Sequence, residues 1–193
     1  NAAVLATSAD ETAPDHVAKC TEWATTFIET GGFRHLYNVF LNGPALDGND
    51  DVAFFCLALL LKSVLVLASA YQTMIRNESS GSDSASSLFE KRLPWLRFDD
   101  ILDRSVNLAL RMSSSDTTRS AWSATCAIHF DLQLLKWISL TVPDTFYRHL
   151  QSETVLAALY APLVCHVRAI REQMQSTLYC ICQQREEFHS LIL

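Results

Sequence analysis

From Val52 to Ala70 the chain is almost free of polar side chains, reading Val-Ala-Phe-Phe-Cys-Leu-Ala-Leu-Leu-Leu-Lys-Ser-Val-Leu-Val-Leu-Ala-Ser-Ala. Such a run belongs either in a bilayer or in the interior of a helical protein. It is nearly long enough to cross the hydrocarbon layer. Lys62 stands at its centre, where a charge costs about 2.5–3.5 kcal/mol on insertion scales. Wound as a helix, the segment brings Lys62, Ser69, Thr73 and Arg76 close to one stripe. A narrow polar strip on an otherwise apolar helix is the pattern of a central helix in a helical stack, and the segment is read that way rather than as a span. Asn49, Asp50 and Asp51 place acceptors and negative charge at its start, where the first backbone N–H groups need them. The helix should run to about Asn77, roughly 40 Å at 1.5 Å per residue.

The flanking segments keep the same period. Val17, Cys20, Trp23, Ala24, Phe27 and Ile28 recur at helical spacing behind Pro14-Asp15. Gly31-Gly32 ends that helix and forms a joint, since glycine accepts the left-handed conformation of a C-cap. Phe33, Leu36, Tyr37 and Phe40 begin a short second helix that Asn42-Gly43-Pro44 stops. Beyond the long helix, Glu78 to Ser87 is rich in serine and reads as a flexible loop. Leu88–Trp95 is a short amphipathic stretch, and helices are expected over Asp99–Met112, Thr117 to about Leu140, Pro143–Leu150 and Glu153–Ala161. After Pro162, Leu163, Val167, Ile170, Met174, Leu178 and Ile181 form a regular apolar stripe, with Arg168, Arg171, Glu172 and Gln175 on its outer side.

The expected fold is therefore all-α: an armadillo- or HEAT-like α-solenoid segment of about eight helices, short alternating with long. Only five glycines and five prolines argue against an all-β chain, with its many tight turns. The expected organisation is a disordered leader (1–14), a first helical-repeat group (15–77), the serine-rich loop (78–87) and a second group (88–193) in one continuous solenoid. The chain opens at Asn1 and closes on Leu191-Ile192-Leu193, and both ends read as cuts within a longer stack.

A net charge of −6 and a basic cluster of Lys91, Arg92 and Arg97, answered at once by Asp99, Asp100 and Asp103, point away from nucleic acid. Asp99-Asp100-Ile-Leu-Asp103 has the DDxxD spacing that all-helical prenyl-transfer and terpene-cyclising enzymes use for magnesium. Asp99 and Asp103 lie one turn apart and are able to share a hard cation. The same acids also suit a first helical turn, and no second aspartate-rich motif accompanies them. Cys180 and Cys182 point to nearly opposite sides of a helix, and the six cysteines sit mostly in apolar runs, as small core residues of a reducing compartment do. The histidines are dispersed, with His129 expected in the core. No P-loop, GxSxG or HExxH pattern occurs. Ser80 and Ser87 each precede an acidic residue by three positions and are the candidate sites of regulatory phosphorylation.

Phe27-Ile-Glu-Thr-Gly-Gly-Phe-Arg-His-Leu-Tyr-Asn-Val-Phe-Leu41 resembles a stretch in the helical-repeat regions of very large ubiquitin-specific proteases of the fat-facets type. Cys56-Leu-Ala-Leu-Leu-Leu-Lys62 resembles the long helix that follows there. These two segments are 22 of the 193 residues. The family's catalytic cysteine box and histidine box are absent, so no catalytic residue carries over. The resemblance implies a non-catalytic scaffold region of a deubiquitinase, without cofactor, in the cytoplasm or nucleus. Its partners would be other proteins rather than nucleic acid or a membrane. The rival expectations are a scaffold of an unrelated armadillo or HEAT protein, and a small magnesium-dependent diphosphate enzyme using Asp99, Asp100 and Asp103.

Overall fold

The computed structural model describes residues 13–43, 50–78, 85–113 and 122–192. Among these residues the chain is all-α, without a strand. Its helices are α1 (Ala13–Glu29), α2 (Gly32–Asn42), α3 (Asp51–Glu78), α4 (Ala85–Arg92), α5 (Phe98–Ser113), α6 (Trp122–Thr141), α7 (Pro143–Leu150), α8 (Glu153–Tyr160), α9 (Arg168–Cys182) and α10 (Glu186–Ile192), with a 3-10 turn at Ala161–Val164.

Several boundaries differ from those expected of the sequence. Ala13 and Pro14 already belong to α1, while residues 1–12 of the expected leader lie outside the described residues. Glu78 closes α3, and Ala85, Ser86 and Ser87 open α4. The rest of the serine-rich stretch, Ser80 included, lies outside the described residues. Pro162 does not merely interrupt a helix. It sits buried in the 3-10 turn, and α9 begins only after the extended Val167. A tenth helix breaks away after Gln183, whose backbone still bonds back to Tyr179 and Ile181, and buries Phe188 against Phe146.

Local chemistry sets the joints. Gly31 has φ of +92°, a conformation that costs any residue with a Cβ. At Gly32 the constraint is space: an added Cβ would lie 2.4 Å from the Phe27 ring. The pair therefore turns the chain and lets α2 pass close under α1. At the start of α3, the Ala53 N–H donates to Asp50 Oδ1 at 2.8 Å, which satisfies one of the orphan donors of a helix N-terminus.

The helices pack as two rows. In one, α3, α6 and α9 lie side by side, and in the other α2, α5 and α8 do. The α3–α6 seam is the most extensive. Ser123 Oγ donates to Asp51 Oδ1 at 3.0 Å, Lys62 lies 5.9 Å from the Phe130 ring centre, and Trp137 Nε1 donates to Gln72 Oε1 at 3.0 Å. Partners advance together along both chains, so α3 and α6 run parallel. Helices α2 and α5 do the same, with Tyr37 meeting Asp100 at 3.3 Å and Phe40 O accepting from Arg104 Nε at 3.2 Å. Helix α5 runs antiparallel to α6, because Phe98 meets Trp137 while Ser105 meets Asp131. Where α3, α4, α5 and α6 converge, Phe89 holds Tyr71, Phe98 and Trp137 around itself, each ring centre 5.8 Å away. Offset and edge-on ring contacts of this kind add to the area they bury.

Candidate functional site

Helix α3 has length and apolarity enough to cross a membrane by composition alone over Asp51–Asn77, and 50% of its most apolar window is buried within the fold. The other half of that window forms a surface. Lys62, Thr73 and Arg76 face outward and Ser69 is half-buried, but the strip they share is neither narrow nor polar. Val52 (72%), Phe55 (46%), Leu59 (50%) and Val66 (57%) are exposed along it. Their spacing of three, four and seven residues places them on one helical face. The expectation of a helix enclosed except for a polar strip is corrected accordingly. The physical reason lies in the packing: α1 and α2 cover one side of α3 and α6 another, and the sector between them has no neighbour among the described residues.

That sector is the floor of a trough. On one wall, Trp23 of α1 is 62% exposed and stacks on Phe27 with ring centres 5.3 Å apart. Trp23, Phe27, Leu36, Lys62, Ser63, Val66 and Leu67 enclose a cavity of about 380 Å³. On the other wall stands Phe130 of α6, with the Lys62 ammonium over its ring. Helix α6 continues the surface with Trp122, His129 and Leu140 exposed and Gln133 and Lys136 half-buried. His129 is therefore not a core histidine; its ring packs edge-on against Phe130. On α9 the corresponding outer positions are Arg168, Glu172, Gln175 and Tyr179, with Arg168 Nε donating to Glu172 at 2.7 Å. Arg171 departs from this set: it is half-buried and donates to the Cys165 carbonyl at 2.6 Å.

The aspartates of the DDxxD run are engaged in joining helices. Asp99 and Asp103 of α5 both meet His149 of α7, at 2.9 Å on Nε2 and 3.7 Å on Nδ1. Asp100 accepts from Tyr37 of α2 and lies 3.7 Å from Arg97. Burial raises the Tyr37 hydroxyl above its ordinary value, and the neighbouring Asp100 carboxylate adds to that rise. Among the described residues no group of three or more His, Cys, Asp or Glu side chains is placed to hold a metal. Nor is any of the described cysteines in a disulfide: Cys165 is buried, Cys126, Cys180 and Cys182 are half-buried, and Cys56 is exposed on α3. Burial pushes the Cys182 thiol up, away from the thiolate form that reacts. The side chain of Ser87 lies outside the described residues, as does Ser80 altogether.

One titratable group escaped the sequence reading. Asp131 of α6 is fully buried. Its Oδ1 accepts from the Ser105 hydroxyl of α5, while Oδ2 has no hydrogen-bond partner. Burial pushes its pKa up to about 8, against the opposing pull of the Ser105 hydrogen bond and the Arg104 charge. The signal in the sequence was an acid at a position whose neighbours Ile128, Leu132, Leu134 and Leu135 all face the core. Comparison with known proteins adds nothing to the assignment. No family model, curated protein or solved structure matches this chain.

Proposed function

We propose that this chain is a segment of an armadillo- or HEAT-like α-solenoid that holds other proteins, and that it serves as a non-catalytic scaffold within a large deubiquitinase of the cytoplasm or nucleus. The observation that carries the scaffold reading is the exposed apolar face of α3. Isolated surface leucines are commonplace, but a contiguous apolar patch with polar rims marks a site of association. The succession α3–α6–α9 beside α2–α5–α8 supports the solenoid, in which each unit buries its face against the next. The link to the ubiquitin system stands on the likeness of Phe27–Leu41 and Cys56–Lys62 to the fat-facets type. The engagement of Asp99, Asp100 and Asp103 with His149, Tyr37 and Arg97 favours holding over catalysis, since these carboxylates already have work in joining α2, α5 and α7.

Crosslinking mass spectrometry on the endogenous polypeptide tests this. Crosslinks from this segment to other proteins, in a polypeptide that also yields peptides of a Cys/His protease module, are the expected result. Crosslinks without that module would leave a scaffold of another armadillo or HEAT protein. No crosslinks, together with a rise in melting temperature on adding magnesium and a diphosphate analogue, would replace the scaffold by the aspartate-dependent enzyme, because a ligand of the native state must stabilise it.

A further inference from the structure

We propose that the cavity between α8, α9 and α10 binds a neutral aryl small molecule bearing one hydrogen-bonding group. This goes beyond the scaffold reading and does not depend on it. The core does not use the whole apolar stripe of α9. Met174 and Ile181 are buried, whereas Leu178 is half-buried, as is Leu163 ahead of the helix. Gln175, Leu178, Tyr179 and Cys182 are spaced by three, four and seven residues and so share one helical face. With α8, the 3-10 turn and α10, that face lines a cavity of about 470 Å³. The chain's own joints hold it. The turn at Pro162 carries Leu163 into the wall, and α10, breaking away after Gln183, brings in His189 and Ile192. The Tyr160 hydroxyl at the end of α8 donates to the Ile192 carbonyl and ties α8 to α10 at the site.

The composition of the wall sets the chemistry of the ligand. Among the described residues it contains no Asp, Glu, Lys or Arg, so an ion seated there would lose hydration without gaining a counter-charge. Burial pushes the Cys182 thiol up, which keeps that side chain neutral as well. Leu163, Leu178 and Ile192 supply aliphatic surface, and Tyr160 and Tyr179 supply two rings against which a flat aryl group packs well. Gln175, Gln183 and His189 are exposed at the rim, where the two amides offer both donors and acceptors. An apolar recess of this size with a few polar groups at its mouth is of the kind that takes a small organic molecule.

Fluorescence titration with a matched pair of probes tests the assignment: N-phenyl-1-naphthylamine, which is neutral, and 8-anilinonaphthalene-1-sulfonate, the same rings carrying a sulfonate. The neutral probe should bind at one saturable site, and the sulfonate about tenfold more weakly. Tyr179→Ala should weaken the neutral probe by about threefold to tenfold, as expected for one lost ring contact. Tyr179 is 64% exposed, so this variant should keep the parent circular dichroism and melting temperature. Leu163→Trp should fill the cavity and abolish binding. A second readout needs no variant. The neutral probe should slow N-ethylmaleimide modification of Cys182, followed by peptide mass spectrometry, and leave Cys56, exposed on α3, unchanged. Equal or tighter binding of the sulfonate, or no protection of Cys182, would overturn the proposal. So would binding that Val66→Asp on α3 removes while Tyr179→Ala leaves it intact, since the probe would then sit on the α3 face. Shielding of Cys182 by self-association without probe would likewise replace the small molecule by a second copy of the chain.

Discussion

Helices α3 and α6 are the two longest among the described residues, lie parallel against each other and are both rich in apolar residues, yet they are apolar for different reasons. Helix α6 is packed by α3, α5 and α9 on three sides, and its Ile128, Leu132, Leu134 and Ile138 are wholly buried. It also buries polar groups, among them Asp131, Ser139 and Thr141. Helix α3 buries one half of its circumference and presents Val52, Phe55, Leu59 and Val66 to the outside. Apart from Trp122 and Leu140 at its two ends, which are exposed, apolarity in α6 is thus accounted for by the fold, whereas in α3 it exceeds what the fold uses. The surplus, rather than apolarity as such, is what points to association.

Substitutions should separate these two kinds of apolar residue. Leu132→Ala in α6 removes a fully buried side chain and should cost about 3 kcal/mol of unfolding free energy, measured by urea denaturation. An effect under about 1 kcal/mol would mean that α6 is not the packed centre. Asp131→Asn should act in the opposite sense, stabilising by about 1–3 kcal/mol at neutral pH. A carboxyl raised from 3.8 to about 8 in the fold stays protonated there while the unfolded chain ionises it. Folding then takes up a proton, so stability falls as pH rises through that window and levels off above it. The asparagine variant should lose this slope in a series of pH-dependent melts. Gly31→Ala should cost about 1 kcal/mol through its positive φ, which thermal melting would register. Leu59→Ser should change stability least, by within about 0.5 kcal/mol, while reducing crosslinks to other proteins. A large loss of stability there would place Leu59 in the core and abolish the contrast with α6.

Much of the helical fold was legible because periodicity and breakers act locally. Gly31-Gly32, Asp50 and Pro162 each punctuate the chain by their own backbone or capping chemistry. The α9 stripe through Ile170, Met174 and Ile181 is buried as its spacing implies. What the sequence could not convey was which apolar face lacks a neighbour. Val52, Phe55, Leu59 and Val66 have the same composition as the buried Phe54, Leu57 and Leu61. Only the placement of α1 and α6 distinguishes the two sets. The same holds for the acids. Asp99 and Asp103 are spaced for a shared cation, and only the arrival of α7 shows that His149 stands between them. Asp131 was hidden for the converse reason: one acid in a long apolar helix reads as an outward position until Ser105 of α5 is found against it.

The four tryptophans are divided between these environments. Trp137 is 9% exposed within the aromatic cluster, Trp95 lies half-buried against Phe33 and Tyr37, and Trp23 and Trp122 stand mainly in solvent. The indole emission of this protein is therefore composite, with a blue component from the interior and a red component from the surface. Iodide should quench Trp23 and Trp122 first, leaving a spectrum shifted to shorter wavelength. Because Trp23 forms one wall of the trough, an occupant would shield it from the quencher while leaving Trp137 unchanged. The unlabelled protein thus carries two optical reporters, one for its folding and one for the occupancy of its surface.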